Sequence, residues 1–179
     1  MSPSRKSPSA LALGLCLALA LALPAWAQGD EAERAFRRGE AYLKGAEVER
    51  DNRAAAEWFE RAAAQDHPGA LYQLGLMARR GQLGKPDVKR SVEYLKRAVQ
   101  AGHGLAMARL GIDYLEGSGV EKDPILAYAL LKMAAARGVQ AAATQQKRVA
   151  ADLTPAQLAE AERAIELIDK SAHACCKPK

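Results

Sequence analysis

Apolar residues recur at intervals of three and four along most of the chain, and polar residues fill the positions between them. That spacing predicts helices rather than strands. In the segment from 69 to 80, Ala70, Leu71, Leu74, Gly75 and Ala78 share one face. A second helical pattern, "VKRSVEYLKRAVQA", follows the loop "QLGKP" and Asp87. The same order returns at a fixed interval of thirty-six residues: Gly39, Gly75 and Gly111, then Gly45, Gly81 and Gly117, then Asp51, Asp87 and Asp123. A two-helix unit with a period of this size is the signature of an α-solenoid, in which no unit buries its apolar face alone and neighbours must stack.

The recurring residues read as joints. A glycine inside a helix costs about 1 kcal/mol relative to alanine, so Gly39, Gly75 and Gly111 predict a close approach of helix backbones. Gly45, Gly81 and Gly117 follow the last helical turn, where a left-handed residue closes the helix. Asp51, Asp87 and Asp123 stand where a carboxylate accepts the free N–H groups of the next helix, and Pro124 after Asp123 suits the first helical position. Large residues (Trp58, Tyr94, Leu130) and small ones (Ala62, Ala98, Ala134) alternate on the second helix of each unit.

The pattern Ala106, Leu110, Gly111, Tyr114, Gly117, Gly119, Val120, Asp123, Ala127, Ala134, Ala135 and Gly138 resembles the Sel1-like repeat family, a relative of the tetratricopeptide solenoids. The second unit departs at Ala78, in place of tyrosine, and at Gly84, shifted by one. In the first unit Arg34 and Arg38 replace apolar residues, which suits a terminal unit whose outer face meets water. The resemblance implies an all-α solenoid of stacked antiparallel helix hairpins, about eight helices in all, with units near 33–67, 68–103 and 104–139. Beyond 139 the period fails, since Lys147 stands where glycine is due. Thr154, Pro155 and Gln157 nevertheless open a helix like a capping box, and Leu158, Ala161, Ile165 and Ile168 line one face. Residues 140–170 are expected to form a shortened final pair that closes the stack, with 171–179 as a tail.

The N-terminus has its own pattern. Arg5 and Lys6 precede the apolar run from Ala10 to Leu23, and Pro24 and Ala25-Trp26-Ala27 follow, the layout of a signal peptide cleaved after Ala27. The run is shorter than the ~20 residues of a membrane-spanning helix. The expected product, 28–179, is exported to the periplasm or secreted and has no stable membrane span. Loss of Arg5 and Lys6 takes the formal charge from +5 to +3, interspersed, which is not a nucleic-acid footprint.

Candidate chemistry is sparse. After the leader the only serines are Ser91, Ser118 and Ser171, outside any Ser-x-x-Lys or Gly-x-Ser-x-Gly context. The resemblance brings with it a β-lactamase-like hydrolase as one alternative, through relatives that carry a cysteine pair in each repeat; this chain has none. His67 and His103 occupy equivalent turns but lack further metal ligands. His173, Cys175 and Cys176 form a second alternative, a soft-metal or redox site, against an exposed terminus or a disulfide. No cofactor is expected. The leading expectation is an adaptor that binds an unidentified protein or peptide segment in a groove lined by the first helix of each unit. Offsets of −2, +2 and +5 from the repeat glycine place there Arg37, Ala41 and Lys44, then Gln73, Met77 and Arg80, then Arg109, Asp113 and Glu116. Such a groove is basic at its N-terminal end and more acidic near Asp113 and Glu116.

Overall fold

Each thirty-six-residue period folds into an antiparallel pair. A computed structural model describes the backbone of residues 25–175 and the side chains of 31–170. It holds α1 (Ala25–Lys44) and α2 (Asn52–Ala63), α3 (Pro68–Arg79) and α4 (Val88–Gln100), α5 (Gly104–Glu116) and α6 (Pro124–Ala136), then α7 (Gln140–Asp152) and α8 (Pro155–Cys175). No strand occurs among the described residues. The signal-peptide expectation falls largely outside them, as residues 1–24 are not described.

The repeated residues fix the hairpins by the same bonds each time. The carboxylates of Asp51, Asp87 and Asp123 accept main-chain N–H groups at the start of α2, α4 and α6. Their own N–H groups donate to the carbonyls of Tyr42, Ala78 and Tyr114, at 3.1, 2.9 and 3.0 Å, which ties each loop to the helix it leaves. One aspartate thus satisfies donors that a bare helix end would leave open. Gly45, Gly81 and Gly117 have φ of +71°, +71° and +73°, the left-handed conformation that the loop requires.

Within each hairpin the helices meet at the glycine. A Cβ on Gly39 would lie 2.6 Å from the Phe59 ring, and one on Gly111 would lie 3.0 Å from Leu131. Phe59, Leu95 and Leu131 fill the space opposite and are fully buried. The hairpins then stack through α2 on α3 and α4 on α5, and α7 adds a further first helix against α6. One core runs from Ala35 through Leu74, Leu95 and Leu130 to Ala161.

The C-terminal end differs from the expected closing pair. α8 does not fold back along α7 but lies along α6 and reaches α4. The ion pairs Lys132–Glu162 and Arg137–Asp169 (3.6 Å) set α8 beside α6 in the same sense. Lys147, exposed on α7, stands at the register where glycine lets the second helix approach in the first three units, and a lysine side chain there is at odds with the same close approach. α8 instead covers α6, whose sequence "PILAYALLKMAAA" is apolar on nearly every side. The Thr154–Gln157 capping box starts α8, with Thr154 N–H donating to Gln157 Oε1 at 2.9 Å and Gln157 N–H to Thr154 Oγ1 at 3.3 Å.

Candidate protein-recognition face

The first helices α1, α3 and α5 expose a stripe of residues that differs from unit to unit. At the −2 position Arg37 is exposed, and Gln73 and Arg109 are half-buried; at +5, Lys44, Arg80 and Glu116 are all exposed. The +2 position departs from expectation. Ala41 is half-buried, whereas Met77 is 1% and Asp113 0% exposed, so neither of those two faces a ligand. On a helix of 3.6 residues per turn, +2 lies about 40° from −2, toward the preceding hairpin, as the contact of Asp113 with Arg79 shows, while +1 and −6 fall on the opposite flank. The exposed stripe therefore continues through Glu40, Leu76 and Ile112 at +1 and Glu33, Gly69 and Leu105 at −6. Sequence reasoning missed these residues.

The stripe changes character along the stack. On α1 the charges neutralise one another, Arg37 with Glu33 at 2.7 Å and Lys44 with Glu40 at 2.9 Å. On α3 and α5 the corresponding positions are apolar: Leu76, Ile112 and Leu105, which is 49% exposed. Arg80 and Glu116 flank them.

Behind this face sits a buried ionic cluster. Arg79 Nη2 on α3 donates to Asp113 Oδ2 on α5 at 2.5 Å, and Arg109 Nη2 lies 3.2 Å from Oδ1. Arg79 Nη1 also reaches Ser118 Oγ at 3.3 Å. Burial pushes the Asp113 carboxyl above its usual range, against the pull of Arg79 and Arg109, and pushes the Arg79 guanidinium below its own. Arg109 thus pairs with Asp113 within α5, beside the Arg79 bond that crosses to α3, as well as being a member of the half-buried stripe.

The two equivalent histidines are helix caps. His67 and His103 accept the N–H groups of Ala70 and Ala106 through Nδ1, each at 3.2 Å. Phe36 stacks on His67 and Tyr72 on His103, with ring centroids 4.5 and 4.7 Å apart. Each histidine therefore joins one unit to the next, and His67 Nε2 also meets Glu33 at 3.0 Å. Among the described residues no three His, Cys, Asp or Glu converge as a metal site. The His173, Cys175 and Cys176 expectation lies outside the residues whose side chains are described. Ser91 is fully buried, and neither its hydroxyl nor that of Ser118 bonds to a histidine or carboxylate among the described residues.

Sel1 repeats match this chain at residues 35–67, 68–103 and 104–139. The alginate biosynthesis protein AlgK of Azotobacter vinelandii is 30% identical over 125 residues, covering 70% of this chain and 27% of that protein. The chitin synthase regulator SKT5 of Saccharomyces cerevisiae is 33% identical over 88 residues, covering 47% of this chain and 13% of that protein. The chain thus spans about a quarter or less of the length of these relatives. The crystal structure of a Sel1 repeat protein from Oxalobacter formigenes superposes with a TM-score of 0.62 at 30% identity, covering 69% of this chain and 94% of that one. The structure of c5321, a protective antigen of uropathogenic Escherichia coli with an SLR fold, shares the fold, with a TM-score of 0.60 at 23% identity over 86% of this chain and 42% of that one. Sel1 repeat proteins generally act as protein–protein interaction modules. With its three repeats, its glycine joints and its aspartate caps, the chain belongs to the Sel1 repeat family.

Proposed function

We propose that this chain is an exported adaptor that binds a protein segment on the exposed face of α1, α3 and α5, in a groove formed as these helices stack. The observation that carries this reading is the run of Leu76, Leu105 and Ile112, rimmed by Arg80 and Glu116. Leu105 is exposed and Leu76 and Ile112 are half-buried, and apolar side chains left open to solvent on one face mark interaction sites more often than they serve the monomer. A stacked scaffold holds them in place, which lowers the ordering cost of association. Arg37 and Lys44 extend the face as a charged, self-neutralised margin. Export is supported by the leader pattern of residues 1–27, and no helix among the described residues is long and apolar enough to cross a membrane. Two relatives are named for the making of a polysaccharide, alginate and chitin, and an adaptor for such machinery fits the present chain. The chain works here as a scaffold and not as a catalyst.

A photo-activated cross-linker placed at Leu105 tests the reading. In cell-envelope extract it is expected to give discrete protein adducts that the same group at Lys96, on α4, does not. Identical adducts from both sites, or none from Leu105, would overturn it.

A further inference from the structure

We propose that the α3–α5 face takes an acidic protein segment, whose Asp or Glu carboxylate accepts hydrogen bonds from the imidazole of His103 and the hydroxyl of Tyr72 while its apolar neighbours cover Leu105. The inference rests on reading that face as a binding surface, and it adds the chemistry of what binds there.

The first two joints of the stack are built alike. In the first, His67 Nδ1 accepts the Ala70 N–H at 3.2 Å, so the neutral ring carries its proton on Nε2, and that edge meets Glu33 Oε2 at 3.0 Å. In the second, His103 Nδ1 accepts the Ala106 N–H at the same 3.2 Å. Phe36 stacks on His67 with the ring planes 25° apart, and Tyr72 on His103 with the planes 26° apart, so the two imidazoles are held in the same way. His103 therefore also presents an Nε2–H, toward the position of Gly69, one period after Glu33. Glycine offers no carboxylate there, and His103 Nε2 has no hydrogen-bond partner among the described residues. The joint also keeps that place clear, since a Cβ at Gly69 would lie 2.9 Å from Phe36 Cζ.

Tyr72 supplies a second donor. The ring edge by which Phe36 reaches Gly69 carries a hydroxyl in Tyr72, and the residue one period after Gly69 is Leu105. Tyr72 Oη likewise has no hydrogen-bond partner among the described residues. His103 and Tyr72 are half-buried and Leu105 is exposed, so two unused donors stand beside an open apolar side chain. A carboxylate can accept from both donors through its two oxygens, whereas a side-chain amide brings one. Outside the described side chains the only acidic one is Asp30, which stands two periods before Gly102, in the first unit and away from this joint.

The test is a titration of the ¹⁵N-labelled chain, at a pH of about 7.5 where the imidazole is neutral, with the acetylated and amidated peptide Leu-Glu-Leu-Leu. The His103 Nε2 and Leu105 amide signals are expected to shift saturably. Glutamine in place of the peptide's glutamate should weaken binding by about fivefold or more. Tyr72→Phe copies the ring of Phe36, and His103→Asn keeps a capping acceptor, so circular dichroism of both variants should match wild type. In each of them the preference for the glutamate peptide should shrink by about half or more. Equal binding of the two peptides at Leu105 would overturn the acid site and leave the face standing. A preference that survives in both variants, or the absence of any saturable shift at His103, would also overturn it, and cross-linking at Leu105 then decides on the face by itself.

Discussion

Arg79 and Asp113 bind each other across the joint between the second and third hairpins, at a position where the other joints are apolar. One unit earlier the same two places hold Leu43 and Met77, and one unit later Leu115 and Val149, all packed into the core. The ionic pair therefore replaces a hydrophobic contact in an otherwise uniform stack. A buried pair adds little net stability over an apolar one, but losing one partner leaves the other charge buried alone.

Asp113→Ala should accordingly cost about 3 kcal/mol, since Arg79 and Arg109 then face each other without a counter-charge. Arg79→Leu combined with Asp113→Met copies the neighbouring joint and should fall within about 1 kcal/mol of wild type, or above it. Urea unfolding of the three proteins decides the matter. An Asp113→Ala midpoint equal to wild type would remove the cluster's structural role.

Acid should weaken the same joint through His103. Burial, followed by the charge of His67, lowers its pKa from the ordinary 6.5, and its Nδ1 must be unprotonated to accept the Ala106 N–H. The folded chain thus binds this proton less tightly than the unfolded chain. Stability should fall as pH drops below about 6.5 and level off once the lowered folded value is passed. His103→Asn keeps a capping acceptor without the titration. Its unfolding midpoint should lose part of the wild-type decline between pH 7.5 and 5, and an unchanged decline would count against His103 as its source.

The repeat was readable because its fixed residues each solve a local problem: a cap at Asp51, Asp87 and Asp123, a left-handed turn at Gly81, a close approach at Gly39. Such solutions depend on a few neighbours in sequence. The exposed face was only half readable. The offsets that found Arg37, Arg80 and Glu116 also took in Met77 and Asp113, because a single helix does not show on which flank the preceding hairpin will sit. The docking of α8 depends on a distant surface, yet one signal was present: α6 is apolar nearly all round, so α5 and α7 could not be its only cover.

The hairpin glycines should rank by the space opposite them. Alanine at Gly39 drives a Cβ to 2.6 Å from Phe59, a fully buried ring with little room to move. Overpacking of about 1–3 kcal/mol should outweigh the helix-propensity gain of about 1 kcal/mol. At Gly75 the nearest atoms are 3.3 Å away, in Leu95 and the Ser91 carbonyl, so the two effects nearly cancel. Thermal melts should place Gly39→Ala below Gly75→Ala, and the reverse order would refute the joint as described.

Because α8 rests on α6 and α4 rather than on a helix of its own hairpin, it should open alone. Ala161 is fully buried against the core, and Ala161→Asp would place a carboxylate there without a designed partner. Hydrogen exchange should then rise throughout α8 while α1, α2 and α3 keep their protection. Equal loss in every helix would mean that the cap and the repeats unfold as one unit.

The recognition face gives the final prediction. Leu105 is exposed and Ile112 half-buried on α5, so aspartate at either place removes apolar contact area without emptying the core. Each change should reduce cross-linked adducts by about tenfold if these side chains anchor a partner, with an unfolding midpoint close to that of wild type. The carboxylate introduced by Leu105→Asp would also stand four residues before Arg109, a favourable helical spacing for opposite charges, which further separates loss of binding from loss of fold. Leu167 on α8 is more exposed still, at 67%, but lies away from the first helices. Leu167→Asp should leave the adducts intact. If it abolishes them while Leu105→Asp does not, the partner sits on the C-terminal cap, and the α3–α5 face is merely solvated.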